Sequence, residues 1–143
     1  MNAQATPKPE QWPGQQLGLP ESGTGALASW GQRIAALIMD WATCTLLAFA
    51  VLGSEVIYGQ GWERFAVLIT FFLESAVLSA LAGGSFGQLL ARIAVIRLDG
   101  EQLGWRAVPR ALLVSLALPA LIIGPHRRGL QDLLCDTVVV RRR

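Results

Sequence analysis

RIAALIMDWATCTLL, residues 33–47, is an apolar run with an arginine at its start and an aspartate inside it. At 3.6 residues per turn it makes roughly four helical turns, so Arg33 and Asp40, seven residues apart, lie on nearly the same face, about 10 Å apart along the axis. Arg33 can stay at a membrane surface and snorkel. Asp40 is too short for that. A charged aspartate at the centre of a spanning helix costs roughly 2.5–3.5 kcal/mol, so Asp40 is expected to be protonated, paired or turned to a wet cavity. Thr43 and Cys44 continue the polar stripe above it.

Outward from this stretch, the first span is expected over about 34–52. Its nineteen residues reach roughly 28 Å, enough to cross a bilayer core. A short Gly-rich loop follows, with Tyr58 and Trp62 at interface height. The second span is expected over 65–82 and ends at Gly83-Gly84. It holds a second acid, Glu74. The two spans run antiparallel, which brings Glu74 to within a turn or two of the depth of Asp40. With Thr43 and Thr70 the pair is a candidate intramembrane ion or proton site, or a neutral polar contact between helices. The third apolar run, residues 111–124, is short, broken at Pro119 and flanked by Pro109 and Pro125. It is expected to be a thin span or a re-entrant segment.

The fold class expected is therefore an α-helical membrane protein with two full transmembrane helices and a short Pro-broken third hydrophobic segment. A small cytoplasmic β element completes it, because IAVIRL (93–98) and TVVV (137–140) are β-branched and can pair, and Asp99-Gly100 favours a turn. Composition agrees. Of 143 residues, 52% are hydrophobic and only 15% charged, where soluble domains carry about 25%, and mean hydropathy is +0.44. Residues 1–30, rich in Pro, Gln and Gly with no early apolar core, read as a disordered cytoplasmic tail, and 31–143 as the membrane domain.

The arginines set the expected topology. Arg92, Arg97, Arg106 and Arg110 follow the second span, and Arg127, Arg128 and Arg141 to Arg143 follow the third run. The loop between the first two spans holds only Arg64. The positive-inside rule puts that loop outside and both Arg-rich segments, with both termini, in the cytoplasm. Arg92, Arg97, Arg106, Arg110, Arg127 and Arg128 are expected to contact anionic lipid headgroups, a nearer counter-charge than nucleic acid. Cys44 and Cys135 are far apart and form no CxxC pair. With His126 the sole histidine, neither a metal site nor a cofactor is expected. No nucleophile–base pair, P-loop or GxGxxG occurs, so no enzyme is expected.

Three motifs resemble the RDD family of bacterial membrane proteins, named for one arginine and two aspartates: GQRIAALIMDW with Arg33 and Asp40, the middle stretch GGSFGQLLARIAVIRLDGEQLGWRAVPRALL, and HRRGLQDLLCDTVVV with Asp132. The likeness covers about residues 30–140; Glu74 is not part of the signature. It implies a multi-pass protein of the bacterial inner membrane. It also implies that Asp132 is a cytoplasmic partner of Arg33, placing Arg33 between Asp132 and Asp40; a local pair of Asp132 with Arg127 or Arg128 is the alternative. The function implied is a component of small-solute or ion (proton or cation) transport. The alternative is a non-catalytic accessory or assembly subunit of a larger membrane complex. Two spans cannot enclose a pathway, so either function requires a homo-oligomer or a larger complex.

Overall fold

A computed structural model describes residues 9–116 and 128–143. Its two long helices are α1, Trp30–Leu52, and α3, Ala66–Ala82, which continues a 3-10 turn at Trp62–Phe65. Both stretches are long and apolar enough to cross a membrane, with mean hydropathy 1.9 for Trp30–Leu52 and 2.1 for Trp62–Ala82. Each begins and ends for local reasons. Ser29 caps α1 by accepting from the Gln32 amide at 3.2 Å, while Gln32 Oε1 takes the Ser29 amide at 3.1 Å, the reciprocal pattern that satisfies two free N-terminal donors. Gly53 and Gly83, at φ +62 and +76, stop α1 and α3 in conformations that disfavour a side chain. Between them lies a short helix α2, Glu55–Tyr58.

On α1 the buried residues are Ala36, Asp40, Cys44 and Ala48, one small or polar side chain every fourth position. This narrow stripe faces the rest of the protein. Ile38, Leu46, Leu47 and Val51 point outward. Only 22% of the α1 window and 28% of the second window are buried, so most of the apolar surface of both helices is left open, the reverse of a soluble core helix. Trp41 and Phe71 stack between the two, with ring centroids 5.4 Å apart.

Below the helices lies a small mixed layer. Helix α4, Phe86–Leu90, crosses α1, and strand β1, Ile93–Arg97, follows. Helix α5, Ala107–Ser115, and helix α6, Leu130–Cys135, precede strand β2, Thr137–Arg141. β1 and β2 pair antiparallel, with Val95 opposite Val139 and Arg97 opposite Thr137, the pairing expected from their β-branched runs. Asp99-Gly100 makes a turn, Gly100 at φ +79. Ile93, Val95 and Val139 pack with Ala28, Ala36 and Leu103 as the core.

Two expectations change. Residues 25–28, expected within a disordered tail, line the outer edge of β2. The Gly25 amide donates to the Arg141 carbonyl at 2.9 Å, the Arg141 amide to Ala26 at 2.7 Å, and the Ala28 amide to Val139 at 3.0 Å. Ala26, Leu27 and Ala28 are buried, and Leu27 packs with Val138 and Val140. An exposed strand edge leaves unpaired amides and carbonyls, and this segment covers them. The other change is at the third apolar run, whose helix starts earlier than expected, at Ala107. Pro109 is tolerated in its first turn, where amides lack helical partners anyway. The remainder of that run, with Pro119, lies outside the described residues, as do His126 and Arg127.

Candidate functional site

Helix α4 explains the two acids. It has five residues and opens with Ser85, which accepts from the Gln88 amide at 3.4 Å, while Gln88 Oε1 accepts from Ser85 N at 3.0 Å. The amides of its first two residues point at α1 and α3. Gly87 N–H donates to Asp40 Oδ1 and the Ser85 hydroxyl to Asp40 Oδ2, both at 2.5 Å. Phe86 N–H donates to Glu74 Oε1 at 2.5 Å, and Ser75 Oγ lies 3.4 Å from Glu74 Oε2. Asp40 and Glu74 thus meet neighbouring amides of one helix turn, where carboxylates are favoured.

This contact requires glycine. A Cβ on Gly87 would run into the carbonyl oxygen of Ala36, with Asp40 Cγ 2.9 Å away. α4 therefore touches α1 backbone to backbone. The other two candidates do not join: the Thr70 hydroxyl donates to Ala66 of its own helix at 2.8 Å, and Thr43 makes no hydrogen bond to either acid.

Asp132 forms a second centre. It is fully buried in α6. Arg110 Nε donates to its Oδ1 at 3.1 Å, Thr137 Oγ1 to the same oxygen at 3.2 Å, and Arg33 Nη1 lies 3.5 Å from Oδ2. Arg33 also sits over the Trp30 ring, 5.5 Å from its centroid. Of the expected Asp132–Arg33–Asp40 chain, the Arg33–Asp132 link is present, while both oxygens of Asp40 go to α4. The expected alternative for Asp132, a local pair with Arg128, takes another form: Arg128 Nη2 donates to the Asp132 main-chain oxygen at 3.0 Å and Nε to the Thr137 carbonyl at 2.9 Å.

Two arginines expected at lipid headgroups are therefore internal. Arg110 is 5% exposed and Arg128 8%, because each is needed by a buried acceptor of α6 or β2. Arg106 reaches the Cys135 carbonyl at 3.2 Å. Arg97 pairs with Asp99 and, at 3.2 Å, with Glu101. The exposed Asp99 carboxyl is held below its usual range, mainly by the Glu101 amide and then by Arg97. Arg92 is exposed, at φ +55.

The two centres border one cavity of about 340 Å³, lined by Asp40, Ser75 and Ser85 from the first and by Arg33, Arg110 and Asp132 from the second. Ile34, Leu37, Phe71 and Val114 supply apolar wall. Among the described residues no cluster of three His, Cys, Asp or Glu could hold a metal.

The chain matches no family model, no curated protein and no solved structure.

What such a cavity offers chemically is a buried carboxylate with fixed neutral donors, an apolar wall, and a guanidinium-rich rim. The sequence signals for its missed members were present. Ser85 and Gln88 have the spacing of a reciprocal cap, and Gly87 sits inside a helical pattern, where a glycine signals close approach.

Proposed function

We propose that the chain is an integral membrane protein of the RDD type that serves small-solute or ion transport, with the cavity beside Asp40 as its binding site. The observation that carries this reading is the placement of Asp40. A carboxylate lies in the middle of an apolar helix, at the wall of a 340 Å³ cavity, a size within the range of small-molecule sites. The outward apolar faces of α1 and α3 suit lipid, and the arginine distribution supports a reading in which the layer of short helices and strands, with both ends of the chain, faces the cytoplasm of a bacterial cell. Two spans leave the pathway open at the side, so copies of the chain or another membrane subunit close it.

The accessory-subunit reading has its own support: both intramembrane acids hold the first turn of α4, a task a purely structural subunit also needs done. Asp40→Asn distinguishes the two. The amide keeps one acceptor oxygen for Ser85 or Gly87 and loses the charge. Transport predicts that the variant extracts and assembles normally but loses solute- or ion-driven flux in reconstituted vesicles. Flux equal to that of the unaltered protein gives the accessory role to the chain. Asp40→Leu is the control for position: it strands the Ser85 hydroxyl and the Gly87 amide, each costing about 1–3 kcal/mol when buried without a partner, and should destabilise. A lipid-facing Asp40 would instead be stabilised by leucine.

A further inference from the structure

The cavity is lined by two clusters of different charge, and this pattern, resting on the transport reading above, specifies a class of solute. Near the start of α1, the described lining holds two guanidinium groups, Arg33 and Arg110, and one carboxylate, Asp132, which lies 3.5 and 3.1 Å from them. Deeper along the same helix, Asp40 receives only neutral donors, the Ser85 hydroxyl and the Gly87 amide, and among the described residues no arginine or lysine pairs with it. Each of its oxygens takes one hydrogen bond, whereas a carboxylate offers about four acceptor positions. Arg33 and Asp40 are seven residues apart, so their main chains are about 10 Å apart along the axis. The wall between is apolar, with Ile34 and Leu37 from α1, Val114 from α5 and the ring of Phe71 from α3.

A bare metal ion fits poorly. Hard cations gather six or more oxygens, and the hydroxyl of Thr70 is committed to its own helix. An ammonium group requires less: acceptors for three N–H bonds and, where available, an aromatic face. Asp40, the Ser75 hydroxyl oxygen and the Phe71 ring border the same space. A plain amine, though, would face the guanidinium-rich side without compensation, and a plain fatty acid would bring its tail towards Asp40. A molecule with both charges satisfies both ends.

We propose that this cavity binds a small zwitterionic solute with an apolar body, its ammonium group on Asp40 and its carboxylate towards Arg33 and Arg110. The axial spacing favours a chain of medium length over an α-amino acid, whose two charges share one carbon.

The test is calorimetric titration of the purified protein in detergent with ω-aminooctanoate, octylamine, octanoate and glycine. The proposal expects saturable binding of ω-aminooctanoate about 10-fold or more tighter than any of the other three, a difference of about 1.4 kcal/mol. Asp40→Asn should abolish the preference over octanoate. Val114→Trp, which fills the apolar wall and leaves α4 and the charged groups alone, should abolish binding with thermal unfolding unchanged, so loss of fold cannot imitate the result. No saturation, equal affinity for octanoate, or undiminished binding to Val114→Trp overturns the proposal. Vesicle flux separates it from the reading beneath it. Ion-driven flux without zwitterion preference removes this inference and leaves transport standing; tight zwitterion binding without flux of any probe keeps the site and removes transport.

Discussion

Breaking the Asp132 centre should release the layer of short helices and strands from the helix pair. Asp132 is fully buried, and Arg110 is 5% exposed, so the pair is largely shielded from bulk solvent. Asp132→Ala leaves the Arg110 guanidinium buried without its carboxylate, removes the acceptor of the Thr137 hydroxyl, and frees Arg33 from its 3.5 Å contact. Losing one partner of a buried ion pair costs about 3–5 kcal/mol. The main-chain bond from Arg128 to Asp132 survives the substitution and does not add to the loss. The same change at the exposed Asp99 should leave unfolding nearly unchanged, despite its bonds to Arg97 and Glu101, because solvent screens it.

The assay is unfolding in mild detergent by tryptophan fluorescence, for Asp132→Ala, Arg110→Ala and the double variant. The two side chains touch, so their effects should not add: the double variant should be less destabilised than the sum, by about 1–3 kcal/mol. Pairing Asp132→Leu with Arg110→Met should recover more, since apolar groups of similar volume remove both unpaired charges. Additive single effects would refute the shared contact. So would an Asp132→Ala protein as stable as the Asp99→Ala control.

Three further outcomes are expected. Gly87→Ala should destabilise by about 1–3 kcal/mol, because its Cβ meets the Ala36 carbonyl and α4 must lift from Asp40; unchanged unfolding together with unchanged Asp40-dependent binding would refute the backbone contact. Arg92→Gly should stabilise by about 1 kcal/mol, since Arg92 is held at φ +55 and glycine carries no penalty there; a less stable variant in the same assay would mean that the Arg92 side chain has a role that outweighs the strain. Burial pushes the Cys135 thiol up, outweighing the lowering by Arg110, so the folded state resists ionisation where the unfolded chain, near pH 8.5, does not. The contribution of Cys135 to stability should be constant below that pH and decline above it, and a Cys135→Ser protein should show a smaller alkaline decline than the unaltered protein.

Parts of this arrangement were legible from the residues alone. Hydropathy marked both long helices, expected over 34–52 and 65–82 and found within Trp30–Leu52 and Trp62–Ala82, and the β-branched runs marked both strands and their pairing. Depth along antiparallel helices brought Asp40 and Glu74 near each other. What they bind was not legible, because it depends on a five-residue helix whose approach is set by the missing side chain of Gly87. Charge counting misjudged Arg110 and Arg128 for a related reason. Position in a sequence does not say whether an arginine points out to headgroups or in to Asp132; packing does. Residues 25–28 were masked by their Gly-, Pro- and Ser-rich surroundings. Their one signal was the apolar triplet Ala26–Leu27–Ala28 directly before the Ser29 cap.

The two acids and α4 each need the other. A helix of five residues is far below the roughly 12–15 at which isolated helices become marginal, so α4 cannot persist on its own propensity. Its Gly87 amide would be left buried without a partner, at about 1–3 kcal/mol. Asp40 in an apolar helix carries a cost of similar size, roughly 2.5–3.5 kcal/mol at the helix centre. Brought together by Gly87, the excess acceptors of α1 and α3 meet the excess donors of α4, and the two deficits offset. Glu74 completes this exchange with one amide and its neighbour Ser75. Asp40 takes one hydrogen bond on each oxygen and also borders the cavity. The capping task is therefore divided between two acids, and only Asp40 of the pair retains acceptor capacity on a wall that a solute can reach.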